Sequence, residues 1–130
     1  MDNIIKYIGI DWGEKRIGLA LADSEIKIAT PFKTVKNIDE VKRTINNEQI
    51  DVIVAGKPIS ITDCKLQITN KKFNEFLQSL KNKINLPIEL VDERLSSKAA
   101  DALVGSKKAK ASKDAIAAML ILQLYLDKIF

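Results

Sequence analysis

Histidine is absent from this chain, and cysteine is nearly so, with Cys64 as its one thiol. Without histidine the chain cannot build a Ser-His-Asp or Cys-His nucleophilic site, or a zinc site with histidine ligands. A lone cysteine excludes an intrachain disulfide and offers no soft metal site. Any acid, base or metal ligand must therefore come from Asp, Glu, Lys, Tyr or backbone groups.

Long apolar runs are also missing. The closest approach to one, Ala115 to Leu126, is interrupted by Gln123 and is too short to span a bilayer. The first residues lack the basic segment and apolar core of a signal peptide. We therefore expect a cytoplasmic protein with no membrane contact.

The composition is that of an ordinary soluble domain. The chain has 130 residues, of which 46% are hydrophobic and 29% charged, enough for one compact domain with its own core. The net charge of +4 is mildly basic. It permits an anionic partner such as nucleic acid without requiring one. No repeat or linker divides the chain, so residues 1–130 are predicted to form a single domain.

Hydrophobic patterning predicts alternating strands and helices. The predicted strands are Tyr7 to Trp12, Arg16 to Ala22, Ile26 to Val35, Asp51 to Gly56 and Ile88 to Val91. The predicted helices are Ile38 to Glu48, Lys71 to Asn82, a short one from Ser96 or Ser97 to Val104, and Lys113 to Lys128. Pro31 favours an edge position for the third strand, and Lys57 to Ile68 is predicted to be a long loop. A hairpin followed by β-α alternation predicts an α/β fold with a mixed sheet and helices on both faces.

Three acidic residues stand at the boundaries of these elements. Asp11 lies near the end of the first strand, Glu93 follows the last strand, and Asp114 opens the last helix. Carboxylates so placed can converge at one edge of a sheet, where their repulsion is costly unless a cation lies between them. The pattern therefore indicates a divalent metal site. Periodicity alone does not choose between Asp92 and Glu93, because neighbours on a strand face opposite ways.

Four blocks of the sequence resemble the YqgF/RuvX family. The blocks are Gly9-Ile10-Asp11-Trp12-Gly13 with Lys15-Arg16-Ile17-Gly18-Leu19-Ala20, Val54-Ala55-Gly56-Lys57-Pro58, Val91-Asp92-Glu93-Arg94-Leu95-Ser96-Ser97, and Lys113-Asp114-Ala115-Ile116-Ala117-Ala118. Members of this family are Holliday-junction-resolvase-like proteins of the ribonuclease H-like superfamily, described as nucleases of pre-16S rRNA. The resemblance implies a five-stranded ribonuclease H-like sheet. It also implies that Asp11, Glu93 and Asp114 are the catalytic and metal-binding acids, with Glu93 preferred over Asp92.

The activity implied by the resemblance is metal-dependent hydrolysis of phosphodiesters in structured nucleic acid, foremost at the 5′ end of pre-16S rRNA. Mg²⁺ or Mn²⁺ is the expected cofactor, since two hard cations about 4 Å apart can activate water and stabilise the leaving oxygen. The expected partners are an rRNA precursor, branched DNA or ribosome assembly intermediates, bound by a monomer or homodimer. The candidate substrate-binding residues are Gly13, Lys15, Arg16, Lys57, Arg94, Ser96 and Lys113.

Other roles stay open for these residues and for the chain. Asp11 could receive turn amides, Asp114 could interact with a helix macrodipole, and Glu93 could pair with Arg94 or Lys98. A branched-DNA resolvase would use the same acidic site, whereas a non-catalytic RNA- or ribosome-associated module would not need it. An actin-like ATPase, which shares the Gly-Ile-Asp-x-Gly opening, would require a second such domain to form its nucleotide cleft.

Overall fold

The computed structural model describes residues 4–13, 15–57, 64–92 and 113–130, and describes the backbone alone at 57, 64–70 and 92. Eight elements make up this part of the chain. The strands are β1 (Lys6–Trp12), β2 (Ile17–Asp23), β3 (Thr30–Val35), β4 (Val52–Lys57) and β5 (Ile88–Asp92). The helices are α1 (Ile38–Glu48), α2 (Cys64–Lys83) and α3 (Lys113–Ile129). None of these helices is long and apolar enough to cross a bilayer.

The five strands form one mixed sheet in the order β3-β2-β1-β4-β5. Antiparallel pairing joins β1 to β2 and β2 to β3, and parallel pairing joins β1 to β4 and β4 to β5. The carboxyl ends of β1, β4 and β5 therefore share one edge of the sheet. The predicted edge position of the strand that contains Pro31 is confirmed, because β3 is the first strand in this order.

Each face of the sheet buries its own apolar cluster, because successive strand residues point to opposite sides. Ile8 and Ile10 of β1 belong to the cluster shared with α1 and α2, which includes Val41, Ile45, Phe73 and Leu80. Tyr7 belongs to the cluster on the other face, with Ala118, Ile121, Leu122 and Leu126 of α3. The predicted α/β class, mixed sheet and helices on both faces are confirmed.

Two predicted boundaries are wrong. The loop predicted from Lys57 to Ile68 is shorter, because α2 begins at Cys64. No Gly or Pro follows Pro58 before the end of α2, so nothing in the sequence interrupts that helix. Strand β3 begins at Thr30 rather than Ile26, because a turn intervenes in which the Asp23 carboxylate accepts the backbone N–H of Ile26 at 2.7 Å. The helix predicted over 96–104 lies outside the described residues.

Gln123, the polar residue within the apolar C-terminal helix, ties α3 to the connection between β2 and β3. Its side-chain oxygen accepts the backbone N–H of Ala29 at 2.8 Å, and its nitrogen lies 3.3 Å from the carbonyl oxygen of Lys27. Lys27 has a positive φ of 63°, which directs the chain back toward the sheet. The amide satisfies backbone groups that would otherwise lose water on burial.

Helix α3 lies directly on the backbone of β1 and β2. A Cβ atom added at Gly9 would be 2.7 Å from the carbonyl oxygen of Ala118, and one added at Gly18 would overlap the carbonyl group of Asp114. Neither glycine has a positive φ. Space, rather than backbone conformation, therefore requires glycine at both positions.

Gly18→Ala should lower the free energy of unfolding by about 1–3 kcal/mol, because its methyl group would meet helix backbone that cannot rotate away. Gly56→Ala is the matched control, since its methyl group would meet Cδ1 of Ile121, the end of a flexible side chain. We expect a smaller loss there. Urea unfolding of both variants checks this, and equal losses would contradict the packing account.

Candidate active site

Asp11 lies near the carboxyl end of β1, on the face of the sheet that α3 covers. It alternates with Tyr7 and Gly9, which both contact that helix. Its Cα partner on β2 is Gly18. The residue is half-buried. The pairing of β1 with β2 therefore sets the position of this carboxylate on the face of the sheet that α3 covers.

Asp114 lies in the first turn of α3 and is also half-buried. Its backbone carbonyl rests on Gly18, the cross-strand partner of Asp11. Asp11 and the backbone of Asp114 therefore both adjoin Gly18, although they lie about 100 residues apart in the chain.

Arg16 adds a cation to this pair. Its Nε lies 3.3 Å from Oδ2 of Asp114, with 71% of the arginine side chain and 29% of the aspartate side chain exposed. The turn that carries Arg16 is tight, since a Cβ at Gly13 would be 2.7 Å from the carbonyl oxygen of Arg16. A pair as exposed as this one contributes little to stability. Its significance is electrostatic, because it shows that a cationic group reaches the carboxylate of Asp114.

The third predicted acid, Glu93, lies outside the described residues, as do Arg94 and Ser96. Strand β5 ends one residue earlier at Asp92, whose Cα partner is Lys57 on β4. Since β1, β4 and β5 are parallel, β5 ends at the same edge of the sheet as Asp11. Of Lys57 itself, the structure describes only the backbone at the end of β4.

Three other predicted substrate-binding residues lie close in sequence to the two acids, and the structure describes their exposure. Lys15 is exposed in the turn after β1, and Lys113 is exposed at the start of α3. Gly13, in the same turn as Lys15, is half-buried. Their contacts with substrate stay predictions. Gly18, between Arg16 and the rest of β2, is closely approached by the backbone of α3.

The donor set at this site suits a hard divalent cation. Asp11 and Asp114 offer oxygen ligands, which Mg²⁺ and Mn²⁺ prefer. Within residues 4–13, 15–57, 64–92 and 113–130, no group of three Asp, Glu, His or Cys side chains converges.

A cavity that the sequence did not predict lies on the opposite face of the sheet, next to Trp12. This aromatic groove has a volume of about 490 Å³, within the usual range for ligand pockets. It is lined by Trp12, Ile38, Lys72, Glu75, Phe76 and Ser79. One feature of the sequence points to this groove: a tryptophan, Trp12, directly follows the candidate catalytic residue Asp11. The rest of the groove depends on the course of α2.

Arg16→Gln should change the free energy of unfolding by less than about 1 kcal/mol, because the exposed guanidinium is screened by water. Urea unfolding of this variant beside Gly18→Ala checks the difference. A loss as large as the one expected for Gly18→Ala would mean that the ion pair, rather than backbone packing, fixes the start of α3.

Solved structures of two resolvases share this fold. The chain matches Thermus thermophilus RuvC in complex with a Holliday junction substrate with a TM-score of 0.68 and 14% identity, covering 95% of each chain. It matches the fowlpox virus resolvase in complex with Holliday junction DNA with a TM-score of 0.57 and 15% identity, covering 97% of this chain and 99% of the other. The predicted ribonuclease H-like sheet, the fold of RuvC, is confirmed.

Sequence relatives cover almost the whole chain. A protein of Maridesulfovibrio salexigens, provisionally named a pre-16S rRNA nuclease, is 37% identical and is matched over 95% of this chain and 99% of its own length. A protein of Natranaerobius thermophilus with the same provisional name is 34% identical, with 95% of each chain covered. The family model described as RuvX, Holliday junction resolvase, matches residues 5–128. The chain therefore belongs to the RuvX family.

Proposed function

We propose that this protein is a divalent-metal-dependent nuclease that hydrolyses phosphodiester bonds in structured nucleic acid, and that its substrate is the 5′ end of pre-16S rRNA. The observation that carries this proposal is that Gly18 is the cross-strand partner of Asp11 and also the strand residue on which the backbone of Asp114 rests. Membership of the RuvX family and the nuclease name of its relatives support it. The proposed setting is the cytoplasm, where ribosomal RNA precursors would be encountered.

Asp11, Asp114 and Glu93 are the proposed metal ligands and catalytic acids, with Mg²⁺ or Mn²⁺ as the cofactor. Resolvases and nucleases of this kind generally depend on divalent metal. When bound, the cations would stabilise negative charge on the attacking and leaving oxygens of the phosphodiester. Glu93 is included because it follows β5 at the edge that Asp11 occupies and because the family resemblance selects it.

The protein's own contribution is to hold these acids in place before substrate arrives. Asp11 is held by its pairing with Gly18 of β2 and follows Ile10, which pairs with Ala55 of β4, and Asp114 is held by the backbone contact of α3 with Gly18. Ligands held by strands and helices are placed more accurately than ligands held by loops. Carboxylates so fixed need little rearrangement as the reaction proceeds.

Arg16 has two positions available in this scheme. In the structure its guanidinium neutralises Asp114. If Asp114 held a metal ion instead, the guanidinium of Arg16 could bind the nucleic-acid phosphate, which an arginine can do with two parallel hydrogen bonds. Lys15, Lys57, Arg94, Ser96, Lys113 and the backbone at Gly13 are the other proposed substrate contacts.

A second candidate function, cleavage of branched DNA, is favoured by the description of the family as a Holliday junction resolvase. The same acids would serve, but resolution of a four-way junction needs two active sites, so this function requires a homodimer. A non-catalytic RNA-associated module would need neither the acids nor the metal. Cleavage assays with both substrates separate the three.

Asp11→Asn should abolish metal-dependent cleavage while the protein stays folded, because the amide keeps the shape of the side chain but loses its charge as a metal ligand. The measurement is single-turnover cleavage of a 5′-extended pre-16S rRNA fragment and of a four-way DNA junction, each with Mn²⁺, with Mg²⁺ and with chelator.

Asp127→Asn is the matched control for this assay. Asp127 is an exposed carboxylate at the far end of α3, and asparagine can still accept the hydrogen bond from Gln123 there. The Asp127→Asn variant should cleave at the same rate as the wild type. Cleavage by Asp11→Asn at the wild-type rate would contradict the proposed active site. Cleavage of the four-way junction alone would favour the resolvase function.

A further inference from the structure

The aromatic groove lies on the reverse side of the same strand end that carries Asp11. Asp11 and Trp12 are consecutive, with Cα atoms about 3.8 Å apart, and strand alternation sends their side chains to opposite faces. The carboxylate faces α3, whereas the indole packs toward α1 and α2. A nucleic-acid strand bound at the acids would therefore have this groove within reach around the end of β1.

The groove has an apolar floor with aromatic surface left accessible. Trp12 is only partly buried, and its ring lies 6.0 Å from that of Phe73 and 6.1 Å from that of Phe76, measured between centroids. Phe73 is buried beneath, and Phe76 and Ile38 are half-buried at the cavity wall. A flat apolar ligand would cover this exposed ring surface.

The rim of the groove is polar and varied in its hydrogen-bonding character. Lys72 is a donor, Glu75 is an acceptor, and the hydroxyl of Ser79 can be either. The edges of nucleobases carry donors and acceptors side by side, so this rim matches them better than it matches a purely apolar ligand.

Basic residues on both sides of the groove favour an anionic ligand. Lys71 and Lys72 are exposed on α2, and Lys15 is exposed in the turn that follows Trp12. Their charges attract the phosphates that flank a base, and stacking on aromatic rings joined to a basic surface is how proteins hold single-stranded nucleic acid.

We propose that the aromatic groove binds an unpaired base of a nucleic-acid strand next to the phosphodiester that is cleaved, with Trp12 and Phe76 as the stacking surface. This rests on the proposed function, which supplies the nucleic acid as ligand. Selection of substrate by an unpaired base would direct cleavage to single-stranded or frayed positions, since a base within a duplex has no free face to stack.

Trp12 is the one tryptophan of the chain, so tryptophan fluorescence reports on the groove directly. The first experiment titrates the wild-type protein, in chelator, with a short single-stranded RNA and with the same strand annealed to its complement. We expect saturable quenching by the single strand and little by the duplex. Equal quenching by both would overturn the proposal.

The second experiment blocks the groove without touching its floor. Ser79→Phe places a large side chain at the rim from an exposed position, and Gln78→Phe places the same side chain at the exposed neighbouring position, which does not line the groove. In fluorescence anisotropy with labelled single-stranded RNA, Ser79→Phe should weaken binding about tenfold or more. Gln78→Phe should leave it unchanged, and equal affinities of the two variants would overturn the proposal.

Both experiments run without metal, so they fail separately from the cleavage assay. Quenching by the single strand and weaker binding by Ser79→Phe, with no cleavage of either substrate, would support base binding in the groove and contradict the proposed nuclease activity. If the wild type and Ser79→Phe cleave at equal rates and the single strand does not quench the fluorescence, base binding in the groove is contradicted while the nuclease activity is supported.

Discussion

The contact between the first turn of α3 and Gly18 is the constraint on which the candidate site depends. Gly18 lets the helix backbone rest on the strand, and its cross-strand partner is Asp11. The force that holds the helix there comes from farther along α3, where Ile121, Leu122 and Leu126 are buried, each worth about 1.5–3 kcal/mol before entropic costs. Apolar burial thus supplies the energy, and Gly9 and Gly18 set the depth of the helix. Together they place the backbone of Asp114 on the cross-strand partner of Asp11.

The last residues of β1 place side chains on both faces of the sheet. Its odd-numbered residues run Tyr7, Gly9, Asp11 beneath α3, and its even-numbered residues end with Trp12 beneath α2. A two-residue segment therefore presents a carboxylate on one side and an aromatic ring on the other. In the proposed scheme the first holds metal beside the phosphodiester, and the second holds a neighbouring base. The strand's alternation, rather than a loop, keeps these two groups in fixed relation.

Much of the fold follows from local pattern, and much of the site does not. The β-branched run ending at Gly56 and the proline at position 31 were sufficient to predict a buried strand and an edge strand, since both signals act within a few residues. The start of α2 was missed because the segment before Lys71 carries polar residues that suit a loop or an exposed helix equally. The three acids could be named from their positions at element ends. That the backbone of Asp114 rests on Gly18, the cross-strand partner of Asp11, could not, because this contact depends on the depth of helix packing. The aromatic groove depends likewise on how α2 crosses β1.

The most direct test of the account is to locate Mn²⁺ by anomalous scattering in crystals of the wild-type protein. The account predicts a manganese peak coordinated by carboxylate oxygens of both Asp11 and Asp114, with the guanidinium of Arg16 displaced from Asp114. A manganese ion bound elsewhere, or Asp114 still paired with Arg16 while the same preparation cleaves RNA with Mn²⁺, would contradict it.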